Sequence, residues 1–151
     1  MLSIFKFFHI LGVVIWIGGM SFAYHCLRPA AVKVLEAPAR LALWSHTLRR
    51  FFNWVWLAIV LLLASGFGLT FLLGGIYAPQ YIFWMMGIGI IMMLIFAHVY
   101  FAPFKRLKRT VVSQDWKAAG VALNQIRILV ATNLILGLIV VAIATLGRGS
   151  I

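Results

Sequence analysis

Four long apolar runs dominate this sequence, at about residues 2–27, 51–73, 81–104 and 126–146. Each matches or exceeds the roughly 20 residues that a helix needs to cross a bilayer. No soluble domain of this size has use for so much apolar surface: of 151 residues, 65% are hydrophobic and 10% charged. Inside hydrocarbon every backbone N–H and C=O must find a partner within the protein, and a helix meets that demand within one segment. The runs therefore predict an all-α, integral membrane four-helix bundle, a single four-span transmembrane domain over residues 1–151.

The first run has some marks of a cleavable signal peptide, with Lys6 as a basic flank and Ser21, Phe22 and Ala23 as a small-residue site. Its length and the presence of His9 favour a retained helix instead. Formal net charge is +11, and the placement of the cations is informative. Arg28, Lys33, Arg40, Arg49 and Arg50 lie between spans one and two; Lys105, Arg106, Lys108, Arg109, Lys117 and Arg127 lie between spans three and four. Only Lys6 and Arg148 fall on the other side. The positive-inside rule then makes both basic loops cytoplasmic and puts the termini and the "GGIYAPQ" turn outside, in a multi-pass protein of the inner membrane. Anionic lipid is the expected partner of those loops, and nucleic acid is not. A single cysteine, Cys26, rules out an intramolecular disulfide and a cysteine-based zinc cage.

Both basic loops carry helical signals. After Pro38, "ARLALWSHTLRRFF" is amphipathic, so helix two is expected to begin before the membrane. Ser113 reads as an N-cap, with Asp115 in the first turn of a helix that continues through "DWKAAGVALNQIR" into span four. The halves also echo each other. His25 and Pro29 precede one basic loop, Arg49 and Asn53; His98 and Pro103 precede the other, Arg127 and Asn133. Either this is coincidence, or it is a parallel repeat of two hairpins about an axis along the membrane normal.

Histidines inside apolar runs are costly to bury, and each is a candidate for function. Depth sorts them. Spans one and three run in the same direction, which places His9 near one end and His98 near the other, with His25 at the edge beside His98. His25 and His98 on separate helices can supply both axial ligands of a haem iron, or part of a copper site. Asn53 and Asn133 lie at similar depth and can orient a ring nitrogen. Arg28, Arg49, Arg50 and Arg127 can receive haem propionates. The alternative is that His25 meets headgroups and His98 bonds a neighbouring helix. His46 lies beyond the hydrocarbon and reads as a solvated side chain.

The other end centres on His9, which shares a helix face with Gly12, Trp16 and Gly19. Across the bundle stand Met85, Met86, Gly87 and Gly89. A His9–Met86 pair is a recognised kind of haem ligation, and thioethers also suit Cu(I). Glycines that merely let helices approach, and methionines that merely fill gaps, are the alternative. Met85, Met86, Met92 and Met93 repeat at i, i+7 as a stripe on span three. No methionine-rich or histidine-rich loop stands outside the membrane to collect copper.

Other chemistry is excluded by what is missing. Glu36 and Asp115 are the only acids, and both lie in loops, so paired carboxylates cannot serve hydrolysis or a proton relay. There is no phosphate-binding glycine loop and no Ser–His–Asp set. Catalysis, if the chain has any, is redox work on a bound cofactor.

The stretch "FHILGVVIWIGGMSFAYHCLRPA" (8–30) and the ending "HVYFAPFKRLKR" (98–109) resemble the CopD-like membrane proteins, the copper resistance protein D family, and its HemJ-type relatives. His9, Trp16, Gly18 and Gly19 carry most of the match. The resemblance implies copper uptake across the inner membrane on the CopD side. On the HemJ side it implies haem b and porphyrinogen oxidation, with a haem ligand at the position of His9. HemJ-type proteins carry a lysine shortly after a tryptophan in span three, whereas here Trp84 is followed by Met85, Met86, Gly87 and Ile88; this departure bears on the oxidation and leaves haem binding open. The expectation is thus an inner-membrane protein that binds haem b through His9, His25 and His98 for electron transfer or membrane redox chemistry, with a redox partner or as a homo-oligomer. Copper handling along a His/Met path and a purely structural helper subunit are the alternatives.

Overall fold

The computed structural model describes residues 1–147. Arg148, assigned above to the end away from the basic loops, lies outside the described residues. Four helices are long and apolar enough to cross a membrane: Leu2–Val34, Ala37–Leu72, Gln80–Val112 and Trp116–Leu146. They are called spans one to four. At about 1.5 Å per residue, the 36 residues of span two reach well past a hydrocarbon core about 30 Å thick. The protein is a multi-pass, all-helical membrane protein.

Each helix ends where its sequence gives a physical reason. Span two stops at Gly74 and Gly75, whose φ values of +113° and +61° lie in the left-handed region that residues with a β-carbon rarely enter. A short 3₁₀ turn, Gly75–Tyr77, then leads to Pro79 and span three. Span three is broken. The expected end at residue 104 is not reached as one regular helix, because Gln80–Phe101 stops at Ala102, with φ −111° and ψ −84°. Pro103 has no N–H to donate, and its ring crowds the carbonyl four residues back. A second helix, Pro103–Val112, follows at once.

The corresponding proline in span one has a milder effect. The helix relaxes into a π turn over Ala23–Leu27 and resumes at Arg28, with Pro29 in the first turn of Arg28–Val34. Because the helix runs on without a break, Pro29 removes one backbone donor there, and the wider π turn just before it makes room for the ring. Span one therefore continues seven residues beyond the apolar run that ended at Leu27. Another π turn, Val14–Gly18, lies in mid-membrane. Span four begins at Trp116, and its N-cap is Asp115, whose carboxylate accepts a hydrogen bond from the Ala118 N–H at 3.0 Å. Ser113, the expected cap, closes the preceding helix, donating to the Thr110 carbonyl at 3.2 Å. Gln114, with φ +58°, turns the chain between them, and a cap must directly precede the first helical residue.

Spans one and two pack antiparallel through small residues. A β-carbon on Gly68 would stand 2.7 Å from the Phe5 ring, and one on Gly12 would stand 2.9 Å from Leu62 and 3.2 Å from the Ala58 carbonyl oxygen. Gly19 faces the Phe51 ring in the same way. Spans three and four form the second pair. Asn133, buried, donates from Nδ2 to the Met92 carbonyl at 3.1 Å, and Gly137 receives Ile17 and the Met92 methyl.

The bundle is solid at one end and hollow at the other. Near the basic loops the core is aromatic: Phe52 meets Phe104 at 4.8 Å between centroids and Phe96 at 5.3 Å, and Phe96 meets Trp56 at 5.2 Å and Trp16 at 6.0 Å. The amphipathic Pro103–Val112 helix closes this end. It buries Phe104, Leu107 and Thr110 against the bundle and leaves Lys105, Arg106 and Arg109 exposed. At the other end the four spans surround a cavity.

Candidate functional site

The cavity holds about 300 Å³ and takes its wall from all four spans. Leu, Ile, Val and Phe make up just under half of the lining. Its chemistry comes from His9, from Met85, Met86, Met92 and Met93, and from Lys6, Thr70 and Tyr81. The methionine stripe therefore faces the same space as the histidine. Trp16, 3% exposed, contributes to the cavity wall and is also the first ring of the aromatic core.

His9 is held by span two. Its Nδ1 lies 3.0 Å from the hydroxyl oxygen of Ser65, a residue 2% exposed. That hydroxyl gives its own proton to the Leu61 carbonyl one turn back. A serine has one proton to donate, so towards His9 its oxygen can only accept. Nδ1 must then carry the ring proton, and Nε2 is left with a bare lone pair. A hydrogen bond on one ring nitrogen fixes the tautomer and orients the other nitrogen as a ligand. Gly66 completes the seat: the imidazole Cε1 is 3.5 Å from where a β-carbon would stand. Thr70 is already engaged, donating to the Gly66 carbonyl at 2.9 Å.

The remaining candidates are distributed as follows. His25 is exposed, donates from Nδ1 to the Ser21 carbonyl at 3.0 Å and sets its ring edge-on to Tyr24 at 5.4 Å. His98 is exposed on span three, and neither of the two borders the cavity. His46, Arg49, Arg50 and Asn53 are exposed on span two. Asn133 ties span four to the backbone of Met92, a cavity residue, while its Oδ1 is buried with no hydrogen-bond partner among the described residues. Arg28 and Arg127 both border a separate small pocket near the basic end, of about 30 Å³ and apolar in its lining. Of the residues singled out in the sequence, the structure thus brings His9 together with the four methionines and Trp16, and sets Arg28 and Arg127 at the border of one other pocket. Ser65 and Gly66 were not singled out. The signal for them was a hydroxyl inside the apolar run "LLLASGFGLT", opposite His9 once spans one and two are paired antiparallel.

Among the described residues, no group of three or more His, Cys, Asp or Glu side chains could hold a metal ion together. A metal in the cavity would have to combine one imidazole with thioethers. Such a donor set suits soft Cu(I) and not the hard divalent cations, which want oxygen.

A comparison with known families gives a match to CopD, copper resistance protein D, over residues 45–146, about two thirds of the chain. The match includes Ser65, the four cavity methionines and Asn133, and begins after His9. No curated protein and no solved structure matches the chain.

Proposed function

The chain belongs to the copper resistance protein D family, and from that premise we propose that its cavity accepts a copper(I) ion as cargo. His9 binds through Nε2, and two or three thioethers from Met85, Met86, Met92 and Met93 complete the coordination. The observation that carries the reading is the Ser65 hydrogen bond, which leaves Nε2 with a free lone pair on a residue that shares its cavity with four thioethers. Copper(I) prefers thioether and imidazole donors and needs no charged ligand. An apolar cavity without a carboxylate therefore suits it better than it suits copper(II) or zinc. With the basic loops in the cytoplasm, the mouth beside Lys6 and Tyr81 opens to the outer face. The ion enters there and rests above Trp16.

The test is a Cu(I) titration of the purified protein under reducing, anaerobic conditions, against a chromogenic Cu(I) chelator. One copper per chain is expected, and His9→Ala should lose it. Copper bound equally well by His9→Ala would remove the site from this cavity.

Haem b is the other expectation, and the residues fit it less well. His9 and Met86 do border one cavity. The arginines meant for the propionates are not part of it: Arg28 and Arg127 line a different pocket, and Arg49 and Arg50 are exposed. Among the described residues, Lys6 is the single cation on the cavity wall. An optical spectrum of the same preparation separates the readings, since a Soret band that shifts on reduction would replace copper with haem.

A further inference from the structure

The four cavity methionines are spaced too widely to serve one ion together. Met85 and Met92, like Met86 and Met93, stand seven residues apart on one regular helix, Gln80–Phe101. Seven residues make about two turns and about 10.5 Å along the axis. Side chains on one helix lean the same way, towards its N-terminus, so the sulfurs stay about as far apart. A metal–sulfur bond is about 2.3 Å long, which holds sulfurs on one ion within about 4.6 Å of each other. The stripe is therefore two thioether pairs, Met85 with Met86 and Met92 with Met93, and all four residues border the same cavity.

His9 falls between the pairs. The Trp16 and Phe96 rings meet at 6.0 Å, which fixes the relative height of spans one and three. Both spans run in the same direction, and seven residues back from that contact stand His9 on one and Gly89 on the other. Gly89 lies midway between the methionine pairs and borders the cavity. Among the described residues no packed neighbour lies within 4 Å of where its β-carbon would stand, so space is kept open at the level of His9. The inner pair is firmly seated. Met92 is 4% exposed; Asn133 donates to its carbonyl at 3.1 Å, and its methyl lies 3.2 Å from where a β-carbon on Gly137 would stand.

We infer that His9 is shared by two Cu(I) stations, an outer one with Met85 and Met86 and an inner one with Met92 and Met93. This rests on the copper reading above and names the donors at each position. Nε2 has one lone pair, so the stations are used in turn and the chain holds one ion at a time. An ion can pass from the outer pair to the inner one without leaving the imidazole, and so is never a bare cation in hydrocarbon, where an unpaired charge is very costly. Methionine suits the exchange, because its unbranched thioether turns about three bonds and adapts to irregular space.

The experiment loads the purified full chain in detergent with one equivalent of Cu(I), under anaerobic reducing conditions, and reads two quantities. Chelator competition gives the affinity, and X-ray absorption gives the number of sulfur and nitrogen neighbours. The native chain should show one nitrogen and two sulfurs. Met85→Leu with Met86→Leu should keep the copper and both sulfurs, because the inner pair still serves. Met92→Leu with Met93→Leu should do the same through the outer pair. Neither double variant should weaken binding more than about tenfold, whereas leucine at all four positions should weaken it about 1,000-fold or more, far beyond the sum of the two. Leucine keeps the volume of methionine, so the packing is retained. A double variant that loses copper as fully as the fourfold variant overturns the inference, and so does a fall to one sulfur in either. In both cases the native chain still binds copper, and only the two-station assignment falls. A native chain that takes up no Cu(I) removes the copper reading and this inference with it.

Discussion

A single hydroxyl proton decides what His9 can do. Because Ser65 spends its proton on the Leu61 carbonyl, it fixes the imidazole tautomer across the helix interface. Removing the hydroxyl should therefore weaken metal binding without removing any ligand. Ser65→Ala is expected to lower Cu(I) affinity about 10–100-fold, as loss of an outer partner of a ligating histidine usually does, with one copper per chain retained at saturation. A chelator competition titration reads both quantities, and an unchanged affinity would remove Ser65 from the site. At this scale the sequence was only partly legible. Depth along a helix separated His9 from His25 and His98, since depth follows from residue count. Azimuth did not follow, because equal depth says nothing about which way a side chain points around the axis. His25 and His98 share a level in the membrane and both are exposed. Ser65 could be noticed only once a pairing partner for its helix was known.

Helices approach closely in this fold where glycine lets them, and not every glycine serves that end. Gly12 has Leu62 and the Ala58 carbonyl against its α-carbon, whereas a methyl group placed on Gly87 would meet nothing within 4 Å among the described residues. Gly12→Val should push span one off span two and destabilise the protein by about 1–3 kcal/mol, the usual range for overpacking. Gly87→Ala should change stability by no more than about 0.5 kcal/mol. Thermal unfolding in detergent compares them, and equal shifts would mean that the interface yields. The elements themselves were readable, because hydrophobic length is nearly the only requirement for a membrane span. Their ends were less so. Pro29 and Pro103 look alike in sequence, yet the first is absorbed in a π turn and the second breaks the helix at Ala102. Which outcome follows depends on packing: the segment after Pro103 has Phe104 and Leu107 to bury, and turning the axis buries them.

For the molecule as a whole, the charge distribution predicts an orientation, with the basic loops inward, that one native residue can report. Cys26 is the single cysteine of the chain and is exposed near the basic end. A membrane-impermeant maleimide should label it in inverted membrane vesicles and leave it untouched in intact spheroplasts. Labelling from the outside would reverse the topology and turn the cavity mouth inward. Four spans and their basic flanks were legible at this scale because transfer energies and charge counts are sums over many residues. The contrast between a hollow end and a solid end was not, because a void depends on how particular side chains meet. That contrast has a physiological corollary. The rings from Trp16 to Phe104 pack edge to face beneath the cavity, and their carbon faces offer a proton nothing to hop along. A bundle plugged in this way should conduct protons no faster than bare lipid, which a pH-jump assay on proteoliposomes would read.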